Sequence, residues 1–157
     1  MPLRFGVAVS GGPDSLALLL LAHALRPDHV EAATVDHGLR PESAGEAVEV
    51  ARVCAELGVA HSTIPVSVEK GNMQEAARKA RYAALGDWAA ERGLVAVATA
   101  HHADDQAETV LMRLNRASGL RGLSAIRAVN AVPSTGTLIV RPLLAWTKAE
   151  LQRIVTE

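Results

Sequence analysis

The chain has 157 residues, with 16 lysines and arginines against 17 aspartates and glutamates and a formal net charge of −1. That length buries a core without help, and a single cysteine, Cys54, excludes a disulfide framework or a cysteine-based zinc site within the chain. The charge balance excludes a general polycation, so any nucleic-acid contact must come from a local patch.

Short valine-rich runs at Phe5 to Val9, Val30 to Val35, His61 to Val66 and Val95 to Thr99 suit strands buried on both faces. Between them lie helical stretches at Asp14 to Leu25, about Glu42 to Leu57, and Met73 to Arg92. Asn72 followed by Glu75 is a helix-start signature, and Gly58 and Gly93 stand where helices should stop. Cys54 shares helical spacing with Ala47, Val50 and Leu57, which reads as core filler. A further helix is expected from near Asp105 to about Ala117. Residues 118 to 137 read as a long connection, and a fifth strand is expected at Leu138 to Val140. This alternation predicts an α/β fold, a doubly wound, mainly parallel five-stranded sheet with helices on both faces. Its ligands would bind beyond the carboxyl ends of the strands, where the strand order reverses.

Thr147 with Glu150 starts another helix, yet no stop signal precedes Glu157. The expectation is one catalytic domain over 1–157, either a truncated product or a piece of a longer protein. No stretch has the length or flanks of a membrane span or a signal peptide, so the expected compartment is the cytoplasm, without membrane contact.

After the first strand runs "SGGPDS", Ser10-Gly11-Gly12-Pro13-Asp14-Ser15. Backbone N–H groups at a helix start carry positive partial charge, and glycines let the backbone approach an anion closely. Ser10 and Ser15 add hydroxyl donors. The plain alternative is a helix cap with Asp14 or Ser15 satisfying first-turn amides. The loop fails the Walker pattern because no lysine follows Gly12, and it fails G-x-G-x-x-G as well. It is similar to the S-G-G-x-D-S loop of the N-type ATP pyrophosphatases, which cut ATP between the α- and β-phosphates. That resemblance implies a loop holding the departing pyrophosphate, in an adenine nucleotide α-hydrolase-like, Rossmann-like fold.

Further stretches narrow the resemblance. "VDHGLRPES" follows the second strand, "AHHADDQAET" and "RASGLRGL" follow the fourth, "NMQEAARKARYAAL" opens the long helix, and "VRPLL" closes the fifth strand. Together they resemble the tRNA(Ile)-lysidine synthases over nearly the whole chain. The resemblance implies ATP-dependent adenylation of C2–O of the wobble cytidine in a minor tRNA(Ile) with a CAU anticodon. Free L-lysine then attacks C2 and AMP leaves. It also implies further C-terminal domains that grip the tRNA, which are not part of these 157 residues.

On that resemblance the ATP-binding set is Ser10, Gly11, Gly12, Pro13, Asp14, Ser15 and His101, and the catalytic set is Asp36, Asp104, Arg113 and Arg116. His101, His102, Asp104 and Asp105 also admit a transition-metal reading. Mg²⁺ needs only one or two carboxylates when phosphates supply the other oxygens, which suits Asp104 or Asp105. Because Asp105, with Glu108 three residues on, also reads as a helix cap, Asp104 is favoured for the metal. Asp36 either holds the lysine ammonium or assists the nucleotide, and His37 reads as a turn residue. Arg113 and Arg116, with Arg121, are set against phosphate, an ordinary solvated face being the alternative. Arg78, Lys79 and Arg81 form another basic patch. A homodimer is compatible with the sequence and not decided by it.

Two rivals differ in chemistry. A sulfur-inserting enzyme needs a persulfide or cluster, usually through paired cysteines. A nucleotide-binding module without turnover would keep the loop and lack the reaction. The few aromatic residues, Phe5, Tyr82, Trp88 and Trp146, provide poorly for stacking a flipped base.

Overall fold

The computed structural model describes residues 2–38, 40–68, 71, 73–115 and 126–157. In chain order the elements are β1 (Phe5–Ala8), α1 (Pro13–Leu25), β2 (Val30–Asp36), α2 (Glu42–Leu57), β3 (Ala60–Pro65), α3 (Met73–Arg92), β4 (Ala96–Ala98), α4 (Ala103–Asn115), β5 (Val129–Ala131), β6 (Leu138–Val140) and α5 (Lys148–Thr156). They build one six-stranded sheet in the order β3-β2-β1-β4-β6-β5. The first five strands in that order run parallel, and β5 pairs antiparallel with β6.

The five expected strands are present, within a residue or two at their ends. The sheet has a sixth, and the expectation of five is corrected. Strand β5 is three exposed residues, Val-Asn-Ala, within the stretch read as a connection. Nothing in its pattern marks a strand; it exists because β6 offers an edge. A tight turn delivers it there, with Val132 N–H donating to the Thr137 carbonyl and Gly136 N–H to the Val132 carbonyl. Gly136 takes φ +71°, which a glycine adopts at no steric cost. Residues 118–125 of the same stretch, Asn72, and the expected end of α4 at Ala117 lie outside the described residues.

Alternation along the central strands divides the core in two. Val7 and Val9 after β1, with Ala32 of β2 and Ala98 of β4, face α1, α2 and α5 through Leu18, Leu19, Val50, Cys54 and Leu151. Ala8, Ala33 and Val97 face α3 through Leu85, Trp88 and Ala89. Period-two side-chain placement makes each strand serve both faces. Parallel crossovers are right-handed, so the reversal of strand order after β3 carries α3 to the opposite face from α1 and α2. Helix α1 is apolar almost all round because the sheet and α5 cover it from two sides. Helix α5 begins as expected, at a capping box in which Thr147 and Glu150 exchange hydrogen bonds.

The one buried charge of β2 is Glu31, which is 3% exposed. Arg92 donates to it from Nε at 2.8 Å, and Arg4 pairs with its other oxygen. Pairing is what permits a carboxylate there.

Residues on the α3 face of β1 are small because Trp88 lies against them. A Cβ on Gly6 would sit 2.5 Å from Trp88 Cζ3 and 2.8 Å from Cη2. Gly6→Ala should therefore lower stability by about 1–3 kcal/mol through overpacking, read by urea denaturation. An unchanged midpoint would mean that Trp88 yields freely.

Candidate functional site

Strands β1 and β4 are neighbours, and the chain leaves them toward opposite edges of the sheet. The loops after both strands open side by side at this switch point, each leading into a helix N-terminus. The loop after β1 turns at Gly11, where φ is +96°, and an added Cβ would lie 3.4 Å from Glu46 Cβ. Gly12 occupies the N-cap of α1 with no side-chain cap and Pro13 at N1, so side-chain capping does not close this helix start. Ser15, buried, donates from its hydroxyl to the Gly12 carbonyl at 3.1 Å and accepts from the Ser10 N–H at 3.1 Å. Ser15 is therefore an internal brace of the loop, and Ser10 Oγ lies 3.2 Å from it.

Asp14 is not a cap either. Its Oδ2 meets His102 Nε2 at 3.0 Å, and Asp105 Oδ2 lies 3.5 Å from the same nitrogen. Two carboxylates accept only, so Nε2 carries the proton. This leaves His102 Nδ1 and Asp14 Oδ1 buried without a partner among the described residues. Asp105 also accepts the His102 backbone N–H at 2.8 Å, so it reaches back from the third helical position to the N-cap. The expected capping role of Asp105 is present in this form, with His102 and not Asp105 at the N-cap.

Two crevices open at this edge of the sheet. The first, over the loop, is lined by Ser10, Gly12, Asp14, Ser15, His101 and Asp105 together with Arg81 of α3. The second, beyond β1 and β2, is lined by Val9, Thr34, His37 and Ser43 among others, and again by Arg81. Arg81 thus joins both. Burial, opposed by Tyr82 and reinforced by Arg78 and Arg141, lowers the pKa of its guanidinium.

The structure brings most of the sequence-predicted residues together and sets others apart. Ser10, Gly12, Asp14, Ser15, His101 and Asp105 share the loop crevice, while Asp104 is exposed and lines neither crevice. Asp36 Oδ1 accepts from the Gly38 N–H at 2.9 Å and from the Ser43 hydroxyl at 2.7 Å, bracing the turn after β2. Those bonds, Gly38 first, hold its carboxyl below the usual range. His37 lines the β1–β2 crevice, and burial depresses its pKa. Arg116 and Arg121 lie outside the described residues, as does the side chain of Arg113, whose backbone falls in the last turn of α4. Sequence reasoning missed His102 as the link between the loops, since its partner Asp14 is 88 residues away. It gave Arg78 and Arg81 some weight, as a basic patch that the resemblance puts near the tRNA or ATP side, without placing Arg81 between two crevices.

Among the described residues no group of three or more histidine, cysteine, aspartate or glutamate side chains could hold a metal ion by itself. The transition-metal reading of His101, His102, Asp104 and Asp105 has no support there. A Mg²⁺ that takes most of its oxygens from phosphates fits better. Asp14 Oδ1, buried and unpartnered, is the observation that fits it. Cys54 is buried on α2, and desolvation pushes its thiol up to about 11. A thiol so placed is core, as expected, and not a sulfur carrier. Among the described residues, no helix is long and apolar enough to cross a membrane.

Comparison with known proteins agrees with this geometry. The chain matches the PP-loop domain family over residues 2–157, and it belongs to that family of ATP-binding domains. It is 56% identical over 156 residues to a tRNA(Ile)-lysidine synthase of Novosphingobium aromaticivorans, covering 98% of this chain and 48% of the relative. The corresponding enzyme of Zymomonas mobilis is 51% identical, with 97% and 47% covered. The chain thus spans about half the length of these relatives. In fold it is similar to a U34-tRNA thiolase from Methanococcus maripaludis, with TM-score 0.79 and 18% identity over 98% of this chain and 55% of the other. It is also similar to an NH3-dependent NAD synthetase from Campylobacter jejuni, with TM-score 0.63 and 16% identity over 98% and 62%.

His101 supplies a test of the electrostatics. Its Nδ1 lies 3.0 Å from Thr99 Oγ1. Burial first, then Arg141 and Arg81, lowers its pKa from 6.5 to about 4. A histidine depressed by folding takes up protons on unfolding, so its contribution to stability is full above about pH 6.5 and is lost as pH falls toward about 4. Denaturation across that window should show stability declining with acid, and His101→Gln should flatten the decline. Equal slopes would remove His101 from this account.

Proposed function

We propose that this domain adenylates a nucleobase oxygen with ATP and belongs to an enzyme that forms lysidine at the wobble cytidine of tRNA(Ile) with a CAU anticodon. The observation carrying the reading is the loop itself. It is a glycine turn at a helix start that no side chain caps, and it stands beside two carboxylates at the strand-order reversal.

A lysine in a nucleotide loop serves transfer of the γ-phosphate. A loop without one suits a reaction in which β and γ leave together, held by main-chain N–H groups and the α1 dipole. Carboxylates beside a triphosphate repel it. Asp14 and Asp105 in one crevice therefore fit a divalent cation, and Asp105 fits better than the exposed Asp104. Bound Mg²⁺ would supply charge neutralisation on the departing pyrophosphate. His102 keeps both carboxylates aimed, donating from Nε2 to Asp14 and from its backbone N–H to Asp105. Arg81 reaches the boundary between the crevices, where the phosphate chain meets the nucleoside, and is suited to charge building on the α-phosphate. The cytidine O2 attacks the α-phosphorus and pyrophosphate leaves; the amine of free L-lysine then attacks C2, loses a proton, and AMP leaves. Arg113 and Arg116 remain assigned to phosphate contacts. On this reading the enzyme works in the cytoplasm.

Pyrophosphate release from ATP with Mg²⁺, measured with and without tRNA(Ile) and lysine, tests the reading, and mass spectrometry of the tRNA identifies the product. Release should depend on the tRNA, and the product should carry lysine. Release that ignores tRNA would point to a small-molecule adenylating enzyme, and ATP binding without release to an inert module. Gly11→Val should weaken ATP binding by about 10-fold or more, because a β-branched residue at φ +96° is strained by a few kcal/mol and the turn must move. Equal affinity would mean that the loop is not the cradle.

A further inference from the structure

Helix α3 and the β5–β6 hairpin bring three guanidinium groups around one phenol ring. Arg78 Cζ lies 5.2 Å from the Tyr82 ring centroid, Arg141 Cζ 5.9 Å and Arg81 Cζ 6.0 Å. Among the described residues, none of the three has a carboxylate within ion-pair distance, although six other basic side chains do. The arrangement is fixed from behind. Arg141, 5% exposed, donates from Nη1 to the Arg127 carbonyl at 2.8 Å and to Asn130 Oδ1 at 2.7 Å, and from Nη2 to the Tyr82 hydroxyl at 3.2 Å. The hairpin therefore anchors Arg141, and Arg141 anchors the ring.

We propose that Tyr82 is a positioning residue for the adenylation step: locked by Arg141, its ring fixes the Arg81 guanidinium at the junction of the two crevices, ready for the phosphate chain of ATP. The inference rests on the nucleotide reading above and adds to it how the cation is held. Like charges this close repel, and burial makes Arg141 and the half-buried Arg81 costlier still. The ring quadrupole offsets part of that cost without neutralising the charge, as a carboxylate would. Arg81 keeps an unspent cation facing both crevices, and an entering polyphosphate meets a donor that does not have to reorganise. A paired arginine would have to break its ion pair first. A flexible one would have to be ordered.

A double-mutant cycle on ATP binding decides the matter. Dissociation constants for ATP with Mg²⁺ are measured for the unaltered chain, Tyr82→Leu, Arg81→Ala and the double variant, with thermal unfolding of each as a folding control. Each single change should weaken binding by about 10-fold, and the double by little more than Arg81→Ala alone, because Tyr82 acts through Arg81. Tyr82→Phe, which keeps the ring and loses the bond from Arg141, should fall between, at about 3-fold. It carries the same cycle if Tyr82→Leu does not fold. Losses that multiply to about 100-fold in the double variant, or a Tyr82→Leu chain that binds ATP normally, overturn the proposal while leaving the nucleotide reading intact. An unaltered chain that binds no ATP overturns both.

Discussion

The reversal of strand order between β1 and β4 is the constraint on which the site depends. It sets two loop-to-helix junctions next to one another, and each helix carries aspartate in its first turn, which its own dipole favours. Taken singly, each aspartate suits the helix start that carries it. Brought together, they place Asp14 and Asp105 in one crevice, where like charges conflict. His102 resolves part of the conflict, donating from Nε2 to Asp14 and from its backbone N–H to Asp105, and on the proposed reading a cation would supply the rest. Among the described residues Asp14 Oδ1 is buried and finds no partner, at the point where an anion and its counterion would meet.

Charge of the opposite sign is gathered on the α3 side. A chain with formal net charge −1 has no general attraction for polyanions. It nevertheless assembles Arg78, Arg81 and Arg141 around Tyr82 without a carboxylate in reach among the described residues. The result is a polar crevice lined by Asp14 and Asp105 and by Arg81, the member of the arginine cluster that reaches it. His101 lines it too and is held neutral by burial and by the arginines. Side chains of both signs in one lining suit the phosphate chain of the proposed substrate.

How much was legible in the sequence follows from the range of the forces involved. The parallel strands, the helices and the capping of α5 by Thr147 and Glu150 depend on side chains a few residues apart, so periodicity and caps reveal them. Strand β5 is illegible because its three residues have no strand character of their own and are recruited by the edge of β6. Asp36 looks like a site residue at the end of a strand, yet one of its oxygens is spent on Gly38 and Ser43. Asp104 and Asp105 are adjacent in the chain and turned about 100° apart on the helix, so only the fold tells which one faces the loop.

The sequence by itself determined the alternation of strands and helices, the glycine turn before α1 and the absence of a phosphate-binding lysine there, because each is written in neighbouring residues. The tertiary structure alone decided that His102 would join Asp14 to Asp105, that Arg81 would stand at the meeting of two crevices, and that Arg141, just after β6, would hold Tyr82 of α3. Those contacts close gaps of up to 88 residues, and no local preference encodes them. They exist because burying both faces of one twisted sheet admits few ways of bringing these elements together.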